Sequence, residues 1–298
     1  VAESWIGVGS GVIAATLTPF NAEGPDREGI GRLVEFLVER GVAGMMVGGT
    51  TGEFVTMAPP ERVQVIAEFV ASVDGRVPVV ANTGHLVRSV ARDLTKKALE
   101  IGVDAITAIA PYFHRHDEEA IESYFRDLSE TAGDRPFLIY DFPGATGNAV
   151  GPGLLEKLLD LPNLAGVKAS VASPGELDGY LRLRNRTTII SGNDGLLPHF
   201  IENGGRLIVS GTASVYPELM VRLTDKLLQG DVHESDLELL DVLVAVGKGG
   251  SPDVFKFLLR RRGLDVGQPR ISTCTERQLE SLLPMAEKSD RALAETIG

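Results

Sequence analysis

Short runs of Val, Ile and Ala recur along the chain. Each is followed by a longer stretch in which apolar positions return every three or four residues. The runs predict eight strands: GVIAATLTP (11–19), AGMMVGG (43–49), VPVVANT (77–83), DAITAIAP (104–111), PFLIYDF (136–142), LAGVKA (164–169), TTIISGN (187–193) and RLIVSGT (206–212). Helical periodicity fills 27–40, 58–73, 87–101, 117–132, 152–160, 174–184, 194–203 and 216–229. Start signals agree: Pro59, Pro60 and Pro217 take first-turn positions, and Ser173 stands before Pro174 as an N-cap. The strand runs are continuously apolar, which is the pattern of a parallel sheet covered by helices. Eight βα units in succession predict an α/β fold, a closed (β/α)8 TIM barrel. An open doubly wound sheet is the alternative, but TLTPFNAEG after the first strand carries no glycine fingerprint. Residues 231–263 and 275–296 read as further helices with no strand between them. The expected organisation is therefore a barrel over 1–230 and a C-terminal helical extension over 231–298.

A net charge of −12 without a basic run argues against nucleic acid or an anionic membrane as partner. Cys274 is the only cysteine, which excludes an intrachain disulfide and a cysteine zinc cage. The acidic start VAESW lacks the basic region of a signal peptide, and no apolar run reaches the length of a membrane span. A cytoplasmic enzyme is the class these features fit.

Barrel enzymes place their chemistry at the C-terminal ends of strands, and polar residues collect there: GGTTGE (48–53), YDFPGATG (140–147), SGND (191–194) and SGTAS (210–214). Loop polarity explains the glycines but not a tyrosine and a lysine inside apolar strands. A lysine is costly to bury unless it is paired or neutral. Alternation puts Gly166, Lys168 and Ser170 on one face of their strand, and Leu138, Tyr140 and Phe142 on one face of the preceding one. If both faces look inward, Tyr140 and Lys168 are neighbours at the barrel mouth. A Tyr–Lys hydrogen bond that caps the core is one reading, and a Schiff-base lysine is the other. A free lysine is neutral in only about 1 in 2,500 molecules at pH 7, and bringing such a group to roughly 7.5 takes about 4 kcal/mol of desolvation and field effects. A lysine so tuned adds to carbonyl carbons. In GGTTGE, backbone N–H groups and the hydroxyls of Thr50 and Thr51 can converge on a small anion such as a carboxylate, although Gly-Thr turns are common. His114 and His116 in HRH have no companion ligands in the sequence, so no metal site is expected, and Glu53 reads as a brace for its loop.

These motifs together resemble the dihydrodipicolinate synthase / N-acetylneuraminate lyase family. The likeness rests on GTTGE after the second strand, YDFPGATG after the fifth and GVKAS in the sixth. It extends over nearly the whole chain through GVIAATLTPF and SPDVFKFLLRRRGL. The resemblance implies a TIM barrel and pyruvate-type chemistry through a covalent lysine imine, with no separate cofactor. It makes Lys168 the imine-forming lysine, Tyr140 the proton-shuttling tyrosine and Thr50 the relay hydroxyl. Gly49 and Thr51 belong to the carboxylate-holding loop, and Val209 takes a position whose backbone carbonyl faces the site. Gly192 and Asp194 take positions that contact the distal part of the substrate. It further implies small-molecule partners, a 2-oxo acid and an aldehyde, and a homo-oligomer, a tetramer or a dimer.

Three positions depart from the family pattern. Tyr112-Phe113 stands where many members have two tyrosines, the second reaching the neighbouring subunit's proton relay. Ala145 stands where dihydrodipicolinate synthases resemble YNVPSRTG, with an arginine for the second substrate's carboxylate. Asp141 replaces a frequent asparagine. YDFPGATG is closer to the 2-keto-3-deoxy sugar-acid aldolases and related dehydratases. A pyruvate-forming aldolase of that kind is therefore the leading expectation, with 4-hydroxy-tetrahydrodipicolinate synthase or a 2-oxo acid dehydratase as the alternative. A metal- or phosphate-dependent barrel enzyme using SGND and SGTAS, and a non-catalytic 2-oxo acid binder, complete the set.

Overall fold

Each of the eight predicted strands forms, the sixth over its full predicted length and the others trimmed: β1 (Gly11–Ala15), β2 (Gly44–Val47), β3 (Val79–Asn82), β4 (Ala105–Ile109), β5 (Phe137–Asp141), β6 (Leu164–Ala169), β7 (Thr188–Ser191) and β8 (Leu207–Ser210). The computed structural model describes residues 6–247 and 251–297. Residues 1–5 of the acidic start and 248–250 of the expected helical stretch 231–263 lie outside the described residues. The strands follow one another around a closed barrel in the order β1-β8-β7-β6-β5-β4-β3-β2. The pairings β1–β2, β3–β4, β4–β5, β5–β6, β6–β7 and β7–β8 are parallel. This is the TIM barrel expected, and nearly every strand residue is buried, as continuously apolar strands require.

The helices between the strands are α1 (Arg27–Val38), α2 (Pro59–Val73), α3 (Arg88–Ile101), α4 (Glu118–Ala132), α5 (Pro143–Thr146), α6 (Gly151–Leu158), α7 (Pro174–Leu181), α8 (Leu197–Glu202) and α9 (Pro217–Gln229). Ser173 caps α7 as expected. Its hydroxyl accepts the Glu176 N–H at 3.4 Å, and the Glu176 carboxylate accepts the Ser173 N–H at 3.0 Å, a reciprocal capping box. Asp117 caps α4 by accepting the Ala120 N–H at 2.8 Å. The run 194–203 divides into a 3₁₀ turn, Asp194–Leu196, and α8.

Two compact units make up the chain. In the one over Pro78–Val209, Ile106, Phe125, Phe137, Leu155, Val167 and Phe200 are fully buried between strands and helices. The other spans Gly11–Val77 and the chain from Ser210 onward, with Ile30, Leu33, Phe69 and Leu219 in its core. Two of its features escape sequence patterning. The first predicted strand stops at Ala15, and after Pro19 the chain makes a two-residue hairpin, Phe20–Asn21 against Gly24–Pro25. The Asn21 side chain closes that turn by accepting the Glu23 and Gly24 N–H groups at 2.9 and 3.2 Å. The expected helices after residue 230 appear as α10 (Glu234–Gly247), α11 (Pro252–Arg261), α12 (Glu276–Glu280) and α13 (Leu283–Ile297). Pro284 sits in the first turn of α13, where a residue without an N–H is tolerated, and this divides the predicted stretch 275–296 in two. Among the described residues no helix is long and apolar enough to cross a membrane.

Candidate active site

Tyr140 and Lys168 are register partners on β5 and β6, so parallel pairing turns both side chains to one face of the sheet, as alternation predicts. They meet amine over ring rather than through a Tyr–Lys hydrogen bond. The Lys168 Nζ lies 3.7 Å from the centroid of the Tyr140 ring, over its face, and donates a hydrogen bond to the Ser170 Oγ at 3.2 Å. Lys168 is 6% exposed and Tyr140 2%. The amine therefore meets a π face and a hydroxyl, neither of them charged. The Phe142 ring stacks beside Tyr140, centroids 6.2 Å apart and planes 20° apart. Ser170 is a member of this group that motif reading left without a role. Its spacing of two from Lys168 is the signal that identifies it.

Two glycines make the arrangement possible. A methyl group on Gly166 would lie 2.3 Å from the Thr188 carbonyl of β7, so only glycine allows the strands to approach here. A methyl group on Gly192 would lie 2.1 Å from the Ser170 Oγ, 3.1 Å from Lys168 Cε and 3.2 Å from Nζ. Gly192 thus provides the room the lysine tail occupies. Leu207 is the register partner of Ile190, which puts Val209 two residues farther along the same face as Gly192. Asp194 opens the 3₁₀ turn that follows, capped by Asn193, whose Oδ1 accepts the Gly195 N–H at 3.0 Å. Lys168, Tyr140, Gly192, Asp194 and Val209 all belong to the unit over Pro78–Val209.

Gly49, Thr50 and Thr51 belong to the other unit, in the turn after β2. The Gly49 carbonyl accepts the Gly52 and Phe54 N–H groups at 3.1 and 3.4 Å, and the Thr50 carbonyl accepts the Glu53 N–H at 3.1 Å. The Thr18 hydroxyl donates to the Gly52 carbonyl at 2.7 Å. The turn is thus closed on itself, with Thr50 exposed and Thr51 half-buried.

The departures from the family pattern also find their places. Asp141 follows Tyr140 and so points to the opposite face, where it is fully buried. Its carboxylate accepts the Val150 and Gly151 N–H groups at 3.1 and 3.2 Å, at the start of α6, and the Tyr180 hydroxyl of α7. Burial pushes the Asp141 carboxyl up from its ordinary value, against the pull of the three donors. Burial and the neighbouring carboxylate push the Tyr180 hydroxyl up as well. The aspartate is a fastening point for the 142–150 loop. Asp141→Ala is expected to lower the unfolding free energy by about 3 kcal/mol, measured by denaturant titration, because three donors lose their acceptor in the interior. The sign of the pH effect follows from the raised carboxyl. Its stabilisation is complete below the ordinary value of 3.8 and is lost as pH rises through the higher folded value. Asp141→Asn therefore gains on the wild type over that window.

Ala145 is exposed in α5, a single helical turn that sequence patterning did not anticipate. Phe113 is 82% exposed, has a positive φ of 75° and sets its ring edge-on to His114 at 4.8 Å. Asn148 ties this segment to the 142–150 loop. Its Nδ2 donates to the Pro111 and His114 carbonyls, both at 2.8 Å, and its Oδ1 accepts the His116 N–H at 2.9 Å. Among the described residues no group of three His, Cys, Asp or Glu side chains could hold a metal ion.

Comparison with known proteins matches residues 9–286 to the family model described as the Dihydrodipicolinate synthetase family. A curated relative from Caldicellulosiruptor bescii, 4-hydroxy-tetrahydrodipicolinate synthase, is 32% identical over 280 residues, which is 92% of this chain and 94% of that one. The crystal structure of dihydrodipicolinate synthase from Thermotoga maritima superposes with a TM-score of 0.88 at 27% identity, covering 94% of this chain and 98% of the other. The chloride-inhibited dihydrodipicolinate synthase from Acinetobacter baumannii, complexed with pyruvate, superposes with a TM-score of 0.87 at 25% identity, covering 95% and 99%.

Proposed function

The chain belongs to the dihydrodipicolinate synthetase family and is a lyase of that family; from that premise we propose that Lys168 forms an imine with the C2 carbonyl of pyruvate or a longer 2-oxo acid. The observation that carries this reading is the Lys168 amine, buried over the Tyr140 ring with a neutral hydroxyl as its hydrogen-bond partner. The neutral amine attacks C2, and the Tyr140 hydroxyl moves protons while the C2 oxygen leaves as water. The protonated imine then accepts the electron pair from C3. That pair is released either by loss of a C3 proton, giving an enamine that attacks an aldehyde, or by cleavage of the C3–C4 bond, giving the enamine and a free aldehyde. On the same reading Thr50 relays protons, Gly49 and Thr51 hold the carboxylate, the Val209 carbonyl faces the reacting atoms, and Gly192 and Asp194 flank the distal end. No separate cofactor takes part. The exposed Phe113 suits a homo-oligomer, tetramer or dimer, in which that ring is covered.

The aldehyde partner has two readings. The curated relative, named 4-hydroxy-tetrahydrodipicolinate synthase, favours the synthase, for which we take aspartate semialdehyde as the partner of pyruvate. Ala145 favours cleavage of a 2-keto-3-deoxy sugar acid, because a methyl group cannot supply the bidentate contact an arginine gives a second carboxylate. A dehydratase would use the same imine and expel a hydroxyl. We give the synthase first place, since the relative spans nearly the full chain whereas Ala145 is one position. The test is a pair of assays on the purified protein. Semialdehyde-dependent consumption of pyruvate is the expected result. Pyruvate release from sugar acids, with no semialdehyde turnover, would replace the synthase by the aldolase.

A further inference from the structure

Glu53 and Lys256 form a buried ion pair that the reaction above does not use. The glutamate is 3% exposed and the lysine 1%, with Oε1 and Nζ 2.8 Å apart. The other carboxylate oxygen accepts the Arg270 backbone N–H at 2.7 Å. Lys256 also donates to the Gln268 carbonyl at 3.1 Å, and its amine stands 4.5 Å from the centroid of the Phe20 ring. Burial pushes the Lys256 amine down and the Glu53 carboxylate draws it back up.

Glu53 is also strained. Its backbone is left-handed, φ 59° and ψ 33°, a region a glutamate rarely visits. Such a residue persists only where its surroundings over-determine it. Here the backbone is fixed by the turn itself: the N–H donates to the Thr50 carbonyl at 3.1 Å, and the carbonyl accepts the Thr56 hydroxyl at 2.9 Å. The side chain is fixed by α11 and the 268–270 segment. A buried ion pair is a poor source of stability compared with packed apolar side chains of the same volume. What it does supply is a fixed direction and length between α11 and the residue that closes the GGTTGE turn.

We propose that Glu53 and Lys256 are positioning residues, their ion pair holding the Gly49–Thr51 turn in the conformation that receives the carboxylate of the 2-oxo acid. This rests on the assignment of that turn under the proposed function. Removing one partner alone would strand a buried charge, so the test uses the double variant Glu53→Gln/Lys256→Met in the full chain.

Two readouts decide it. In borohydride trapping, the pyruvate concentration that gives half-maximal adduct is expected to rise about tenfold, the scale of a small misplacement of a binding group. The plateau rate should stay unchanged, and half-maximal trapping of pyruvamide, which lacks the carboxylate, should shift by less than about twofold. In amide hydrogen exchange without substrate, the Gly52, Glu53 and Phe54 N–H groups should exchange at least about tenfold faster, an opening local to the turn. Equal shifts for pyruvate and pyruvamide, or no shift in either, would overturn the proposal. A wild type that traps no pyruvate would sink the imine reading alone. The exchange data would then decide the positioning role, and unchanged amides would overturn it. If the double variant does not fold, Glu53→Asp, which keeps the charge opposite Lys256 but shortens the reach by one methylene, carries both readouts.

Discussion

Sodium borohydride with pyruvate is expected to leave one reduced pyruvyl group on the wild-type chain and none on Lys168→Ala, read by intact mass. Turnover by the variant should fall by about 10⁴-fold or more, since the nucleophile is lost outright. The expectation comes from comparing two buried lysines. Lys256 is more deeply buried than Lys168, but it faces a carboxylate at 2.8 Å, so its charge has a counter-ion. Lys168 faces a ring at 3.7 Å and a hydroxyl at 3.2 Å. Neither of these neighbours carries a charge. Burial alone does not distinguish the two, whereas the chemistry of the neighbours does. Gly192 belongs to the same design, because any side chain there would collide with the tail of Lys168 and with Ser170. An adduct that persists in Lys168→Ala, or its absence from the wild type with pyruvate and with longer 2-oxo acids, would remove Lys168 from the chemistry.

Tyr140→Phe is expected to slow every proton transfer assigned to the tyrosine, imine formation included, while leaving the nucleophile in place. The substitution keeps the ring under the amine and removes only the hydroxyl. The adduct should still form to full extent, though more slowly, while turnover falls by about 10²–10⁴-fold, the usual worth of a positioned acid–base group. Tyr140 is 2% exposed and packed against Phe142, so the phenylalanine ring has the same cavity to fill. Single-turnover trapping followed by steady-state assay measures both quantities on one preparation. A variant with wild-type turnover would show that the hydroxyl carries no proton in the slow step.

Much of this was legible in the residues themselves. The eight apolar runs identify the barrel strands because a sheet buried on both faces needs continuous hydrophobicity. The alternation of side chains along two adjacent strands is what pairs Tyr140 with Lys168. Period and alternation describe neighbours along one strand or helix, however, and they lose information across the fold. They place Asp141 on the face opposite Tyr140 but do not reveal Val150, Gly151 and Tyr180 as its partners. They mark Glu53 as a loop brace but not Lys256 as what it braces against. They also suggest a hydrogen bond between the tyrosine and the lysine, where the structure stacks the amine on the ring. That choice depends on the space left by Gly192, which follows another strand.

The grip on Glu53 also has a history in time. The Arg270 amide that holds its carboxylate comes 217 residues later in the chain. At about 5–20 residues per second, a ribosome delivers that partner roughly 10–40 s after Glu53 itself. Through that interval the Glu53 carboxylate has neither the Arg270 amide nor the Lys256 amine to hold it. The turn cannot be locked until α11 and the segment after it have been made. A nascent chain stopped before residue 256 would lack the counter-ion of Glu53 however many strands it had already made, so readiness of this turn reports that synthesis has passed the last barrel strand.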